Sequence, residues 1–212
     1  MDLKNVRRDY AQGRLCRESL NDDPMQQFAT WFQAAKDHPS QTDPTAFILA
    51  TVGADGQPHQ RVVLLKDIHA DGFVFYTNYD SQKGHDIATN SRVAMHFAWL
   101  ALEQQVRIEG FARKVGRAES EAYFYSRPRE SQLGALASAQ SHPIASRAEL
   151  ERHYHELEET YRDKDIPMPE HWGGYLIVPE RFEFWQGGRY RLHDRFTFTR
   201  QQQNWQIERL QP

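Results

Sequence analysis

The chain has 212 residues, of which 26 are Lys or Arg and 29 are Asp or Glu, so its formal net charge is −3. This balance excludes a general attraction to nucleic acid, and any bound anion has to be held by a local cluster of cations. The single cysteine, Cys16, excludes an internal disulfide framework and a zinc site built on several thiolates. No stretch approaches the roughly 18 apolar residues of a membrane helix, and the first residues lack a signal-peptide core. We therefore expect a cytoplasmic protein without membrane contact.

The first half of the chain predicts one helix followed by a run of strands. Residues 1–20 are polar and basic, and we expect them to form a mobile arm. Asp23 and Pro24 supply an acidic cap and a first-turn proline for a helix that ends near residue 38. Apolar and alternating runs then predict strands, and a serine-capped segment predicts a short helix. The predicted strands cover 45–52, 59–66, 73–77, 92–99 and 104–115, and the short helix covers 81–90.

The second half predicts helices first and strands again at the end. The helices cover 118–127, 131–139 and about 146–162, and the strands cover 174–178, 181–186, 192–199 and 205–210. Short antiparallel strands with a few helices indicate a mainly β protein with added helices (α+β), arranged as a barrel. No Gly-x-Gly-x-x-Gly follows a strand, so a Rossmann sheet is not expected. We expect residues 21–212 to form a single domain with a helical insertion at about 117–165.

Two stretches in the first half carry cations in unusual settings. Arg61 and Lys66 enclose four apolar residues, and on a regular strand the two cations would face opposite sides. Both can touch one ligand only if the strand bends or one acts from its end; a buried strand with solvated ends is the alternative. Ser81 and Lys83 stand at a predicted helix start, where free N–H groups suit a phosphate. An ordinary serine cap with a solvated lysine is the alternative there.

Two stretches in the second half are also rich in cations. Arg127, Arg129 and Ser131 flank a proline between two predicted helices, and arginine binds phosphate through two parallel hydrogen bonds. A solvated corner between helices explains this stretch equally well. Arg191, His193 and Arg195 are spaced two apart, so on a strand they would project from one face and repel each other unless an anion compensates them. We favour an anion or cofactor site over an exposed edge strand. No His, Asp and Glu set has a metal-ligand spacing, so we expect no metal.

These stretches, in this order, resemble the pyridoxamine 5'-phosphate oxidase family. The similar motifs are RVVLLK, FYTN with a following S-x-K, EQQVRIEG, YFYSRPRESQLGA, AQS and FWQGGRYRLHDRF, and they run from about Asp43 to Pro212. The resemblance implies an FMN-binding split β-barrel that forms a homodimer, with FMN at the subunit interface. It also implies oxidation of pyridoxamine or pyridoxine 5'-phosphate by O2 to pyridoxal 5'-phosphate and H2O2, in vitamin B6 biosynthesis or salvage.

The resemblance further implies a role for each matched residue. The FMN contacts of one subunit are Arg61, Val62, Val63, Leu64, Leu65, Lys66, Tyr76, Thr77, Ser81, Gln82 and Lys83. Gln105 faces the flavin ring, and the residues that reach FMN from the other subunit are Gln140, Ser141, Trp185 and Arg195. The substrate phosphate is held by Lys66, Tyr123, Arg127 and Ser131. Arg191 and His193 are the catalytic pair over the substrate ring, and Arg7 and Tyr10 belong to an arm that closes over it.

Gln82 departs from the family, which usually has a cation between the Ser and Lys of S-x-K. We expect weaker FMN binding at most. Two alternatives stay open: a split-barrel oxidase of another ring substrate, such as a phenazine type, and a non-catalytic module that binds flavin, haem or pyridoxal phosphate. The intact RPRES and RLHDR motifs favour a phosphorylated pyridine over a tricyclic substrate. Arg191 and His193 argue against a carrier, because a carrier needs no group over the reacting carbon.

Overall fold

The computed structural model describes residues 2–5 and 8–212, and one antiparallel sheet dominates them. The sheet curls into half of a barrel, with the strand order β2-β1-β5-β6-β7-β4-β3, and β8 pairs with both β7 and β9. Antiparallel neighbours joined by short turns bring residues far apart in sequence onto one curved surface. The strands are β1 (Ala46–Val52), β2 (Pro58–Leu64), β3 (Asp67–His69), β4 (Gly72–Asn78), β5 (Arg92–Trp99), β6 (Gln104–Lys114), β7 (Trp172–Gln186), β8 (Asp194–Gln201) and β9 (Asn204–Leu210).

The helices lie at one end of the barrel and along its side. The first, α1, begins after Asp23, whose side chain accepts a hydrogen bond from Met25 N, as the acidic cap predicted. Three helices occupy the connection between β6 and β7, within the segment expected as a helical insertion. The helices are α1 (Pro24–Asp37), α2 (Gln82–Thr89), α3 (Arg117–Ser126), α4 (Arg129–Ala137) and α5 (Arg147–Thr160). In the part of the chain that the structure describes, no helix is long and apolar enough to cross a membrane.

The barrel core is mostly aromatic. Phe28 on α1 is fully buried, and its ring centroid lies 4.8 Å from that of Phe73 and 5.0 Å from that of Phe97. Trp31, one turn further on, packs edge-on against Phe184 at 5.3 Å. Burying one such side chain stabilises a fold by about 1.5–3 kcal/mol. Helix α1 therefore covers the inner face of the barrel with aromatic contacts. The ends of the strands carry polar side chains.

Two adjacent strands predicted in the tail form one continuous strand. β7 runs from Trp172 to Gln186, and its register with β6 shifts between Glu109 and Gly110, opposite Pro179. The predicted break at the proline is therefore a β-bulge, where a residue without an N–H is tolerated. A Cβ on Gly110 would lie 2.1 Å from the Val178 carbonyl oxygen, so only glycine fits beside the bulge.

The prediction that Arg191, His193 and Arg195 share one face of a strand is wrong. Strand β8 begins at Asp194, and Arg191 ends a short 3-10 turn in which its own φ is 66°. The turn closes through a hydrogen bond from Gly188 N to His193 Nδ1 at 3.1 Å. A two-residue spacing predicts one face only when the backbone is extended. Here the backbone is left-handed at Tyr190 and Arg191, and a Cβ on Gly188 would lie 2.2 Å from the Leu192 carbonyl oxygen, so the glycine allows the chain to turn back before the strand starts.

The prediction of a mobile arm at residues 1–20 stays a prediction. Arg7, expected in that arm, lies outside the described residues. Leu15 and Leu20 are buried in the barrel core, so the second half of the arm packs on the domain.

Candidate functional site

A cleft of about 720 Å³ opens between the ends of β2 and β4 and the helices α2, α3 and α4. Its volume lies within the usual range for small-molecule sites. Most residues expected to bind a cofactor or substrate phosphate line this one cleft. They are Arg61, Val62, Val63, Leu64, Lys66, Tyr76, Thr77, Gln82, Lys83, Tyr123, Arg127, Ser131, Gln140 and Ser141. The side chains of Leu65 and Ser81 are instead buried behind the cleft wall.

Arg61 and Lys66 reach the same cleft because the strand ends between them. β2 stops at Leu64, and Lys66 N donates to Val74 O on β4 at 2.9 Å. The chain has therefore turned from one strand to another before Lys66. Lys66 is therefore the cation that reaches the cleft from the strand end. The side chain of Leu65, between the two cations, points into the core.

Lys83 is the most informative cation of the site. Its side chain is buried, with 6% of the residue exposed, and Nζ donates to Thr77 Oγ1 at 3.0 Å, Ser81 Oγ at 2.9 Å and Gln140 Oε1 at 3.0 Å. All three acceptors are neutral. Burial, and then the nearby Arg61, lower the pKa of Lys83 to about 8. A buried cation without a carboxylate is costly, so this arrangement favours an anion in the cleft.

The start of α2 adds to this preference for an anion. Ser81 precedes the helix, but its hydroxyl makes no cap bond to the helix backbone and donates instead to Asn78 O at 2.7 Å. The helix N-terminus thus keeps its partial positive charge toward the cleft, beside Lys83. Neither the ordinary serine cap nor the solvated lysine considered from the sequence is present.

Asp86, which the sequence did not point to, organises the wall behind Arg61. It is buried, and its Oδ2 accepts from Thr51 Oγ1 at 2.6 Å and lies 3.8 Å from Arg61 Nη2. Burial raises the pKa of Asp86, but hydrogen bonds from Thr51, Gln82 and His59 outweigh it, so the net pKa is lowered. Burial also lowers the pKa of Arg61, and Asp86 opposes that shift. The i, i+4 spacing of Gln82 and Asp86 on α2 was the one available signal.

Gln82 is held by this carboxylate. Its Nε2 donates to Asp86 Oδ1 at 2.9 Å. A cation at position 82 would meet the same carboxylate, and would be partly neutralised before it reached an anion in the cleft. Having Gln82 in place of the family's usual cation therefore lowers the positive potential of the cleft by less than the loss of one full charge would.

A second group of residues in the cleft lies on α3 and α4. The Arg127 guanidinium lies 4.9 Å from the Trp172 ring centroid, and its Nη1 is buried without a hydrogen-bond partner among the described residues. Burial lowers the pKa of Arg127. Tyr76 stacks on Tyr123 with centroids 3.9 Å apart and on Trp172 at 5.6 Å. An unpartnered guanidinium nitrogen beside aromatic rings fits an anionic group attached to a planar molecule.

The two arginines of the RPRES motif have different roles. Arg129 donates to the backbone carbonyls of Tyr161 and Lys164, so it ties α4 to the end of α5. Arg127 alone faces the cleft. The motif therefore combines a residue that faces the cleft with one that links two helices.

The remaining predicted residues form a separate group around the turn before β8. Trp185, His193 and Tyr10, here called the aromatic turn cluster, have ring centroids 4.6 Å apart for Trp185–His193 and 5.4 Å for Tyr10–His193. Burial, and then Arg191, lower the pKa of His193. Arg195 pairs with Glu183 at 2.8 Å.

Gln105 lies beside this cluster and not in the cleft. It is opposite Trp185 in the β6–β7 register, and its Oε1 is 3.1 Å from His96 Nε2. In one chain, the structure therefore does not bring Gln105, Trp185, Arg191, His193 or Arg195 to the cations of the cleft.

Gln140 and Ser141 line the cleft of their own chain, whereas the resemblance implies that they reach FMN from the other subunit. Gln140 Oε1 accepts a hydrogen bond from Lys83 of the same chain. Both follow α4, so the helical insertion itself supplies this part of the wall.

The curled antiparallel barrel and its cation-lined, aromatic cleft define a split-barrel protein with a site for an anionic planar ligand. A family model described as "Pyridoxamine 5'-phosphate oxidase" matches residues 33–161, and one described as "Pyridoxine 5'-phosphate oxidase C-terminal dimerisation region" matches residues 172–212. The chain belongs to the pyridoxamine 5'-phosphate oxidase family.

Individual relatives agree with this assignment. Pyridoxine/pyridoxamine 5'-phosphate oxidases of Idiomarina loihiensis and Vibrio cholerae are 51% and 50% identical to this chain, each over 100% of both chains. A crystal structure of PhzG from Burkholderia lata 383, in complex with tetrahydrophenazine-1-carboxylic acid, has a TM-score of 0.87. It is 27% identical and covers 93% of this chain and 98% of its own.

Proposed function

We propose that the chain oxidises pyridoxamine 5'-phosphate or pyridoxine 5'-phosphate to pyridoxal 5'-phosphate, with FMN as cofactor and O2 as final acceptor. The observation that carries this proposal is a pair of cations in one cleft, Lys83 and Arg127, that have no carboxylate partner among residues 2–5 and 8–212. A phosphate group carries nearly two negative charges near pH 7. Two cation sites therefore match two phosphates, one from the cofactor and one from the substrate, and full-length relatives at about 50% identity carry the name of this activity.

The residues around Lys83 fit the phosphate of FMN. Lys83, Arg61 and the N-terminus of α2 supply positive charge, and Thr77 and Ser81 supply hydroxyls within hydrogen-bond distance of Lys83. The adjoining segment 62–64 lines the cleft with apolar side chains that suit a flavin ring. When bound, FMN would supply the electron acceptor, taking two electrons from the substrate as a hydride and passing them to O2 to give H2O2.

The residues around Arg127 would hold the substrate phosphate. Arg127 has a free buried nitrogen, and Lys66, Tyr123 and Ser131 line the same cleft. Burial raises the pKa of Tyr76 to about 12, so this tyrosine stays neutral and does not repel an anion. Fixing the phosphate orients the pyridine ring, and such positioning contributes several kcal/mol to lowering a barrier.

Arg191 and His193 would act on the substrate from the partner subunit of a homodimer. The family region matched at 172–212 is described as a dimerisation region, and it contains Trp185, Arg191, His193 and Arg195. His193 Nδ1 accepts the Gly188 N–H, so in the neutral ring the proton is on Nε2, which can donate a hydrogen bond to the substrate and orient it. Its lowered pKa favours the neutral ring that this task needs.

An oxidase of a tricyclic substrate is the second candidate, because the phenazine-bound relative shares the fold at a TM-score of 0.87. The identity of 27% to that protein, against 51% to a pyridoxine/pyridoxamine 5'-phosphate oxidase, favours the first candidate. A non-catalytic flavin carrier would not oxidise either compound. The cytoplasmic setting expected from the sequence stays a prediction.

The test is an anaerobic absorption spectrum of the purified flavin-loaded protein, recorded before and after pyridoxine 5'-phosphate. We expect the flavin band near 450 nm to bleach, and H2O2 to form once air is admitted. A parallel titration with a dihydrophenazine carboxylate should leave the band in place. Bleaching by the tricyclic compound alone would support the second candidate, and a band unchanged by either compound would support a carrier.

A further inference from the structure

Glu103 joins the N-terminal arm to the turn that carries His193. It lies between β5 and β6, is 4% exposed and has a left-handed backbone with φ 55°. Its Oε2 accepts hydrogen bonds from Ala11 N at 2.7 Å and Gln12 N at 2.9 Å, and Arg8 Nη2 lies 3.4 Å from Oε1. Its own backbone carbonyl accepts from Gly187 N at 2.8 Å. One buried residue therefore contacts both the arm and the turn.

The contact with Glu103 sets the position of Tyr10. The Tyr10 ring meets Trp185 edge-on at 5.7 Å and His193 edge-on at 5.4 Å. A Cβ on Gly187 would lie 2.7 Å from Tyr10 Cδ1 and 3.0 Å from Glu103 Cβ, so the arm packs directly on the backbone of the turn. The hydrogen bonds at residues 11 and 12 thus fix the tyrosine that immediately precedes them.

A second carboxylate holds the arm further along. Leu15 N donates to Asp194 Oδ2 at 3.0 Å, and the Leu15 side chain is buried in the core. The segment between the two carboxylates, residues 11–15, is held by hydrogen bonds at both ends, whereas Tyr10 has only its ring contacts besides the Glu103 hydrogen bonds at residues 11 and 12. Loss of the first contact should therefore free Tyr10 without undoing the attachment at Leu15.

We propose that Glu103 is a positioning residue that docks the arm, so that Tyr10 stays against His193 and the arm covers the substrate ring. This inference rests on the proposed function. Hydrogen bonds from N–H groups to a carboxylate are strong because they are charge-assisted, and a buried carboxylate that lost them would be left unsatisfied. Undocking is therefore unfavourable while Glu103 keeps its charge.

The first test follows the arm itself and does not depend on the substrate. The rate at which trypsin cleaves after Arg14 would be measured for the flavin-loaded wild type and for Glu103→Gln. We expect cleavage to become about tenfold faster in the variant, because the negative charge that strengthens the hydrogen bonds from Ala11 N and Gln12 N and the pair with Arg8 is removed. The matched control is Glu109→Gln in β6, whose surface pairs with Arg107 and Arg181 are worth little. Equal cleavage rates in Glu103→Gln and the wild type would overturn the proposal.

The second test approaches the same contact from the arm. Ala11→Pro removes the N–H that donates to Glu103 Oε2 and leaves the barrel untouched. We expect the same acceleration of cleavage as in Glu103→Gln. If Glu103→Gln fails to fold, Ala11→Pro still tests whether Glu103 docks the arm. An unchanged cleavage rate in Ala11→Pro would contradict that role.

The third test separates positioning from a general effect on stability. In Glu103→Gln the KM for pyridoxine 5'-phosphate should rise about tenfold, with kcat within about threefold of the wild type and FMN affinity unchanged. Adding Glu103→Gln to a protein that lacks residues 2–12 should change KM no further, because the arm it acts through is gone. A further loss in that background would show that Glu103 acts through the β5–β6 turn. If the wild type does not oxidise the substrate, the proposed function fails, and the cleavage assays still decide the role of Glu103.

Discussion

The cation cleft and the turn before β8 are built in opposite ways. In the cleft, Lys83 is 6% exposed and bonded on three sides by groups of its own chain. In the turn, Tyr190 is 89% exposed, and both Tyr190 and Arg191 have left-handed backbones. The cleft is organised before any ligand arrives, whereas the turn presents its side chains outward. We propose from this difference that binding and chemistry belong to separate parts of the chain, the cleft of one subunit and the turn of its partner in a homodimer.

We propose that the turn is responsible for turnover and the cleft for affinity. Changes in the turn should then lower kcat while FMN stays bound, and changes in the cleft should weaken FMN binding first.

Arg191→Leu should lower kcat at least about a hundredfold, because a group that orients the substrate and assists proton removal is lost. FMN affinity should stay within about twofold of the wild type, since Arg191 does not line the cleft. The neighbouring Arg189→Leu, in the same exposed turn, is the control and should keep most of the activity. The assay is H2O2 release together with a flavin fluorescence titration. Wild-type turnover in Arg191→Leu would refute the role assigned to the turn.

Lys83→Met should weaken FMN binding by roughly thirtyfold, which corresponds to about 2 kcal/mol for a lost charge-assisted hydrogen bond. The same change should raise the melting temperature of the flavin-free protein, because a buried cation without a counter-ion is replaced by an apolar chain of similar length. Lys36→Met, at an exposed position of α1, is the control and should alter neither quantity. Equal FMN affinity in Lys83→Met and the wild type would show that the anion lies elsewhere.

The pKa of Lys83 gives a pH dependence whose sign can be worked out. Its ordinary value is 10.5 and its value in the fold is about 8, so the folded protein releases this proton at lower pH than the unfolded chain. Lys83 therefore lowers the free energy of unfolding by its full amount below pH 8. This destabilisation decreases as pH rises from 8 toward 10.5.

Binding of an anion needs the protonated form of Lys83, so FMN affinity should change in the opposite direction to apoprotein stability. We expect affinity to fall about tenfold between pH 7.5 and 9.5 in the wild type and much less in Lys83→Met. Fluorescence titrations over this pH range measure the effect. Parallel pH profiles in the two proteins would contradict the assignment of this ionisation to Lys83.

Gln82→Arg should have the smallest effect. It restores the cation that the family usually carries, but Asp86 accepts from residue 82 and would neutralise part of the added charge. We expect FMN affinity to tighten by no more than about threefold. In Gln82→Arg combined with Asp86→Asn the gain should be larger than in Gln82→Arg alone. A tenfold gain from Gln82→Arg by itself would show that Asp86 does not screen this position.

Much of the cleft was predictable from the sequence because its residues lie in compact motifs next to strand ends and a helix start. Local patterns at Arg61, Lys66 and Lys83 left solvated alternatives open, and the family resemblance assigned these residues to FMN; the structure places all three at one cleft. Strand β7 is predicted from the sequence as two strands, 174–178 and 181–186, and only the pairing with β6 shows one strand with a bulge.

Other features depended on contacts between distant parts of the chain. Asp86 faces Thr51 across 35 residues, and Glu103 meets Ala11 across 92, so no local pattern predicts either contact. The left-handed backbone at Arg191 is not predicted from the sequence, because the two-residue spacing of Arg191, His193 and Arg195 indicates a strand. The preceding Gly187 and Gly188 allow a tight turn. The placement of Gln140 on its own chain's cleft depends on how α4 packs, which the motif does not specify.

The most direct test of the central claim is the activity of a hybrid dimer. One chain carries Lys83→Met with Arg127→Ala in the cleft, the other carries Arg191→Leu in the turn, and two different affinity tags allow the hybrid to be purified after co-expression. If each site combines the cleft of one chain with the turn of its partner, the hybrid contains one intact site and should show about half of the wild-type activity, although both parent dimers are nearly inactive. A hybrid no more active than its parents would mean that cleft and turn do not meet across subunits, and the account would be wrong.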